Sequence, residues 1–322
     1  MKLSIILTVY NKESFLHRAF EELLSQEGVE EGSYEVLAVN DGSTDTSATV
    51  IQYYAKKDKR VRVLTQINQG LSMARNNGVE KALGEYVWFV DSDDVISRNS
   101  VSLILKATES HPDTIPIYAQ TEGNSKVRNA INPSIITGKD IIVSGNWEQC
   151  GVFYVHKKAF LIENELRFIP GIYHEDAEFT PRMLYAAKSV KVIPSVLYTV
   201  YRDPNGITQV PRAKRAFDYL TVSESLSQFV LSNGESGSLI GQAIDRYTAQ
   251  DINNAFYIIS QNSREEQIRF SIAFYNKRSS MFRVLKSAPH IKYKVESFLM
   301  SLFPHNAIRV YKFLSWIDGL LF

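Results

Sequence analysis

Three features of the chain predict an α/β fold. Short apolar runs rich in β-branched and aromatic residues recur through residues 1–91, each too short for a helix. Stretches with helical spacing of apolar positions lie between them, joined by short links. Each run ends in polar, turn-forming residues. That alternation builds a parallel, doubly wound sheet, whose ligands bind outside the carboxyl ends of the strands.

Leu3–Val9 reads as the first strand, ending in Thr8-Val9-Tyr10-Asn11. Phe15, Leu16, Ala19, Phe20, Leu23 and Leu24 mark the apolar face of the helix after it, with Asn11 or Ser14 as its cap. Tyr34–Val39 is the second strand, followed by Asn40-Asp41-Gly42-Ser43-Thr44-Asp45 and a helix from Thr46 to Lys57. Val61–Leu64 is the third, ending in Gln66-Ile67-Asn68-Gln69-Gly70, and the helix Leu71–Leu83 is closed by Gly84. The fourth, Tyr86–Val90, runs straight into Asp91-Ser92-Asp93-Asp94.

Three carboxylates within four positions at the end of a buried strand repel one another and need a counter-charge. A Mg²⁺ or Mn²⁺ ion bridging to a phosphorylated ligand supplies it, because these cations favour carboxylate oxygens and substrate phosphates. The plainer alternative is a polar turn in which Asp93 or Asp94 caps the next helix. A calcium loop fails, since Ile96 and Ser102 stand where Gly and Glu are required. Asp41 either accepts hydrogen bonds from a ribose or base, or simply opens an Asp-Gly turn. Arg75 lies on the first turns of its helix, where a guanidinium pairs with a diphosphate or is merely solvated. No Gly-Xaa-Gly-Xaa-Xaa-Gly follows the first strand and no P-loop occurs, which excludes the dinucleotide and P-loop classes.

Beyond Val95 the pattern loosens. Val101–Ala107 reads as a helix, Ile115–Tyr118 as a strand, 121–146 as a polar, loop-rich insertion, and Gly151–Val155 as a strand. Trp147 stacks on a sugar face or packs. Tyr173-His174-Glu175-Asp176-Ala177-Glu178 precedes a helix from Thr180 to Ala187, so its acids complement the helix dipole or do chemistry. Val190–Ile193 and Val196–Tyr201 read as a strand pair linked by Pro194-Ser195, and helical spacing begins at Ala213.

Composition is that of a globular chain of 322 residues, 44% hydrophobic and 22% charged. The single cysteine, Cys150, excludes an internal disulfide framework and reads as a small buried hydrophobe. The N-terminus lacks the apolar core of a secretory leader, and no stretch approaches the ~20 apolar residues of a membrane span, so the expectation is cytoplasmic. The formal charge of +1 is uneven: residues 277–322 hold eight Lys or Arg against two acids. That asymmetry suggests an anionic partner; the reading adopted is peripheral contact with a membrane through the aromatic, basic segment 306–322, not nucleic acid. Packing of that segment on the bundle or on a second subunit is the alternative.

Four segments now carry a resemblance: Ser4-Ile5-Ile6-Leu7-Thr8-Val9-Tyr10-Asn11, Asn40–Asp45, Asn68-Gln69-Gly70-Leu71-Ser72-Met73-Ala74-Arg75-Asn76 and Asp91-Ser92-Asp93-Asp94. In this order, at strand ends, they resemble the family 2 glycosyltransferases of GT-A fold. The resemblance implies a mixed sheet flanked by helices over 1–212, with a nucleotide half (1–100) and an acceptor half (101–212), and a C-terminal helical extension over 213–322. It implies an inverting, hexosyltransferase-type enzyme that moves a sugar from a nucleotide-diphospho donor, a UDP-sugar, with Mn²⁺ or Mg²⁺. The acceptor would be a saccharide or lipid-linked hydroxyl in cell-surface polysaccharide or glycolipid synthesis. Thr8, Tyr10 and Asp41 would hold the nucleoside, Arg75 the phosphates or nucleoside, Asp91 ribose or sugar, and Asp93 the metal. The family's Glu-Asp pair matches Glu175-Asp176, making Asp176 the catalytic base and Glu175 its partner. Tyr201-Arg202 followed by Ile207-Thr208 resembles a segment that often follows this pair, although Gly206 stands where Ser is common; Arg202 either clamps the diphosphate or forms an ion pair with Asp203 or another acid. Trp147 and His174 are the candidate acceptor contacts. Two alternatives remain: a sugar nucleotidyltransferase, whose Gly-rich basic first loop is missing here, and a non-catalytic GT-A-like module of an envelope-assembly complex.

Overall fold

The computed structural model describes residues 1–201, 212–303 and 306–321, with side chains of the last helix through Trp316. The chain divides into two units, Met1–Gly171 with Phe179–Pro204, and Ile172–Glu178 with Asn205–Phe322.

The first unit begins with β1 (Leu3–Val9), α1 (Glu13–Leu24), β2 (Tyr34–Asp41), α2 (Ser47–Lys57), β3 (Val61–Gln66), α3 (Leu71–Lys81) and β4 (Tyr86–Asp91). Every residue of β1 and β2 is buried, so their apolar residues run together rather than alternating with exposed polar ones, and the polar Ser4, Thr8, Glu35, Asn40 and Asp41 are buried with them. β3-β2-β1-β4 are parallel neighbours, and the chain reverses its direction of travel across the sheet between β1 and β4. That reversal opens a crevice at the strands' carboxyl ends. Register aligns Thr8 with Asp91 across β1 and β4, and Asp41 with Gln66 across β2 and β3.

Next come β5 (Val95–Ile96), α4 (Ser100–Thr108), β6 (Thr114–Thr121), β7 (Asn124–Arg128), α5 (Gly138–Ser144), β8 (Tyr154–Lys157), α6 (Lys158–Glu163), α7 (Glu175–Ala186) and β9 (Ile193–Val200). β4 and β6 both pair antiparallel to β8, while β6 and β9 are parallel, so the sheet is mixed as the GT-A pattern requires. The wholly parallel arrangement holds only for the first four strands.

Several local expectations change. Gly84 does not cap α3, which ends at Lys81 with an extended Ala82. A Cβ on Gly84 would lie 2.5 Å from the Ser4 backbone nitrogen, so close approach to β1 is what demands glycine. The insertion 121–146 holds a strand and a helix: Thr137 accepts from the Asp140 N–H at α5's start, and Gly145 ends it at φ 69°. Gly151–Phe153 is a 3₁₀ turn, and the strand starts only at Tyr154. The expected strand pair around Pro194 is one strand; pairing with β6 jumps from Ile117–Ile193 to Tyr118–Val196, leaving Pro194 and Ser195 looped out. Proline has no N–H for the ladder, and a bulge removes the need for one. Cys150 is half-buried rather than buried.

His156 on β8 is fully buried among Phe89, Tyr154 and Phe179, with Nδ1 3.2 Å from the Thr114 hydroxyl. Burial holds its pKa down at about 3, below the ordinary 6.5. A depressed histidine is neutral in the fold, so its stability is intact above pH 6.5 and is lost as pH falls toward 3, where only the unfolded chain gains the proton. His156→Leu should therefore gain on wild type by about 2 kcal/mol between pH 7.5 and 5. Urea unfolding of both proteins at the two pH values checks this; parallel pH dependences would refute it.

The second unit holds the helices α8 (Ala213–Ser232), α9 (Leu239–Ser260), α10 (Arg264–Asn276), α11 (Arg278–Ser287), α12 (Ile291–Leu302) and α13 (Ala307–Leu321). Phe256, Phe270 and Phe274 centre its core, joined by Leu220, Leu285 and Met300. Inside it, Arg283 donates to both oxygens of the fully buried Asp245, at 2.7 and 2.8 Å.

Candidate active site

The carboxyl ends of β1, β2 and β4 are stitched together by their own side chains. Asn11 takes a left-handed φ of 51°, tolerable for Asn, and its Oδ1 accepts from the Thr44 N–H at 2.7 Å. Asp45 accepts from the Glu13 and Ser47 N–H groups, and Glu13 in turn accepts from Thr46. These bonds fasten the loop after β1 to the loop after β2. Asp41 is 3% exposed and takes three donors, Gln66 Nε2 at 2.7 Å and the Gln69 and Gly70 N–H groups at 2.8 Å. It binds the loop ahead of α3 to β2, a role beyond either sequence alternative, and a carboxylate keeps lone pairs for one further donor. Tyr10 is half exposed beside this edge.

Arg75 is not a solvated arginine. It is 1% exposed, lies 5.3 Å over the Phe168 ring and donates to Asp91 Oδ1 at 3.2 Å. The same Asp91 oxygen lies 3.4 Å from the Thr8 hydroxyl. Asp91 thus carries a fixed guanidinium on one side and keeps a third of its side chain open.

Asp93 bears a different cation. Lys12 Nζ, at the entry to α1, lies 2.5 Å from Asp93 Oδ2, and Arg18 donates to the Asp93 carbonyl. Asp94 faces inward: it accepts from the Tyr198 hydroxyl at 2.7 Å and the Tyr201 N–H at 2.8 Å, while Tyr198 itself accepts from the Asp91 N–H. Burial, and secondarily the Asp91 charge, push the Asp94 pKa up to about 8. A protonated Asp94 relieves the repulsion expected of three adjacent acids. Lys12, Arg18 and Tyr198 went unnoticed in the sequence, although Lys12 directly follows the first motif.

Does this donor set suit a divalent cation? Asp93 presents a hard oxygen on which a positive charge, the Lys12 ammonium, already rests. Both partners are about a quarter exposed, so the pair is accessible to exchange. Among the described residues no three His, Cys, Asp or Glu gather into a closed cage. A cation completed by substrate phosphates and water needs no such cage. The residues fit, with Asp93 as the protein ligand.

The second unit contains Glu175 and Asp176 at the start of α7, with Glu175 buried and Asp176 half-buried. Helix α8 holds this segment: Asp218 accepts from the Tyr173 N–H at 2.9 Å, and the Ser225 hydroxyl donates to Glu178 at 2.8 Å. His174, at a left-handed φ of 62°, stacks on Tyr219 with ring centroids 3.6 Å apart. Burial, then the nearby Arg215 and Lys214, lower its pKa to about 3, so the ring is neutral. Its Nε2 is buried with no partner among the described residues. Trp147 is only 2% exposed and points its N–H at the Ile142 carbonyl, 3.4 Å away; it packs, and no indole face is offered to a sugar. Arg202, with residues 203–211 after it, lies outside the described residues.

The sequence profile of Glycosyl transferase family 2 matches residues 4–166, half of the chain, and spans every first-unit group just described except Tyr198, Tyr201 and Phe168. The chain belongs to the family 2 glycosyltransferases. Among curated relatives, this chain is 29% identical over 224 residues to the uncharacterized glycosyltransferase YibD of Escherichia coli strain K12, covering 66% of this chain and 64% of YibD. It is 29% identical over 225 residues to EpsJ of Bacillus subtilis strain 168, covering 65% and 63%. The chain therefore spans a little under two thirds of the length of these relatives. In structure it resembles S. aureus TarS 1-349 in complex with UDP-GlcNAc, with a TM-score of 0.76 at 20% identity over 99% of this chain and 92% of that 1-349 fragment. It also resembles the mannosyltransferase PcManGT of Pyrobaculum calidifontis in complex with GDP-Man and Mn²⁺, with a TM-score of 0.52 at 12% identity over 98% and 87%. These likenesses fix the fold as GT-A.

Proposed function

We propose that the protein transfers a sugar from a UDP-sugar to an acceptor hydroxyl in cell-surface polysaccharide or glycolipid synthesis, inverting the anomeric centre. The observation that carries this reading is the set of groups at the crevice between β1 and β4. Thr8, Asp91, Arg75 and a cation-bearing Asp93 meet there at the carboxyl ends of parallel strands. The UDP-GlcNAc bound to TarS supports the choice of donor.

In this reading Thr8, Tyr10 and Asp41 receive the nucleoside, and the buried Arg75 steadies Asp91 toward the ribose or sugar. Asp93 would hold Mn²⁺ or Mg²⁺. When bound, that ion neutralises charge building on the departing diphosphate. Asp176 accepts the acceptor hydroxyl's proton as the new bond to the anomeric carbon forms, because a neutral hydroxyl is a weak nucleophile. Glu175 and the neutral His174 orient the base or the acceptor. Single displacement needs no covalent intermediate, so no Ser or Cys nucleophile is required.

A panel of nucleotide sugars incubated with Mn²⁺ tests the reading, with nucleoside diphosphate release as the readout. One UDP-sugar should stand out above the rest; equal background for every donor, with and without acceptor extract, would favour a non-catalytic module.

A further inference from the structure

Helix α12 is apolar on the side away from its own core. Its buried residues are Tyr293, Glu296, Ser297 and Met300, two of them polar. Ile291, Val295, Phe298 and Leu302 are instead exposed by 69, 43, 61 and 54%. At 3.6 residues per turn these four project within about 60° of one another, opposite the buried face. Single exposed apolar residues are ordinary, but four in a row on one helix face mark a contact surface.

The charges around the row indicate what it contacts. Lys292 and Lys294 lie on the same helix to either side of it, and Lys286, Lys294, Arg309 and Lys312 are all exposed. The one acid from 277 to 316, Glu296, is 1% exposed and accepts from Asn253 at 3.2 Å. Every exposed charge of that stretch, among the described residues, is therefore positive. A second copy is a poor occupant: two-fold pairing lays a patch on itself and would set these lysines against their own counterparts. A lipid surface bearing phosphates offers the opposite charge and an apolar layer beneath it.

We infer that α12 docks the protein on an anionic lipid surface. Ile291, Val295, Phe298 and Leu302 enter the boundary between headgroups and acyl chains, and Lys292 and Lys294 pair with lipid phosphates. On α13, Phe313 and Trp316 are 56 and 62% exposed and add to the same chemistry, whereas Ala307 and Ile308 are buried in the bundle. The principal contact thus moves from the terminal segment expected in the sequence to the helix before it. No described helix is long and apolar enough to cross a membrane. The inference is independent of the transfer chemistry.

Co-sedimentation of the full chain with vesicles tests it, comparing phosphatidylglycerol–phosphatidylcholine mixtures with phosphatidylcholine alone. Wild type should pellet with the anionic vesicles and release as salt is raised. The double variant Val295→Glu/Phe298→Glu should lose roughly tenfold or more in partitioning, while Val295→Leu/Phe298→Leu retains it. Circular dichroism melts control for folding, and the salt release of wild type stands without any variant. Wild type remaining in the supernatant with both vesicle types would overturn the inference, as would a correctly folded Glu variant that pellets like wild type. A wild-type dimer that the Glu variant converts to monomer, with no vesicle binding, would assign the row to a second copy instead.

Discussion

Asp176→Asn should lower turnover by about 10²- to 10⁴-fold while UDP affinity stays within about twofold of wild type. The amide keeps the shape of the carboxylate but cannot take a proton, so only the step in which the acceptor hydroxyl is deprotonated suffers. The segment keeps the bonds that run from the Tyr173 N–H to Asp218 and from the Ser225 hydroxyl to Glu178. Steady-state kinetics alongside calorimetry with UDP separate the two quantities. Turnover near wild type would remove Asp176 from the base role; lost UDP affinity with normal turnover at saturation would make it a donor contact.

The second large effect belongs to the Lys12–Asp93 pair. Asp93→Ala should weaken Mn²⁺-dependent UDP binding by roughly a hundredfold, since it removes the one protein oxygen assigned to the ion. Lys12→Met should act in the opposite direction. The ammonium that rests 2.5 Å from Asp93 competes for the same carboxylate, and without it the apparent Mn²⁺ affinity should rise several-fold. Opposite signs at two contacting residues are hard to produce by general destabilisation. If Lys12→Met instead weakens UDP binding, the lysine is a phosphate ligand and its position on Asp93 is incidental.

The first four strands were legible because each holds an apolar run closed by polar turn residues, and near-complete burial of β1, β2 and β4 leaves no alternation to misread there. The later half was harder for identifiable reasons. β7, Asn124–Arg128, holds a single large apolar residue, so nothing marked it as a strand. The short helix α5 did carry signals, Thr137 ahead of Asp140 and Gly145 behind, but its seven residues offer little periodicity. Proline at 194 implied a break between two strands, whereas a bulge absorbs it within one. Gly84 shows that the same residue type can end a helix or admit a neighbouring strand, a choice made by tertiary contact.

In the site, the acids were readable as a cluster while their partners were not. Strand register brings Thr8 to Asp91 and the packing of α3 brings Arg75 there, and Lys12 and Tyr198 meet the acids across 81 and 104 residues of chain. Of the two roles the sequence left open for Trp147, packing is the one the structure shows, with the indole buried and its N–H turned to Ile142 of α5.

Anomalous diffraction from crystals grown with UDP and Mn²⁺ is the most direct measurement of the central claim. A manganese peak against Asp93, beyond the end of β4, with the Lys12 ammonium displaced and UDP phosphate oxygens completing the ion's shell, is the result the account predicts. An intact Lys12–Asp93 pair with neither manganese nor nucleotide at that strand end would contradict it.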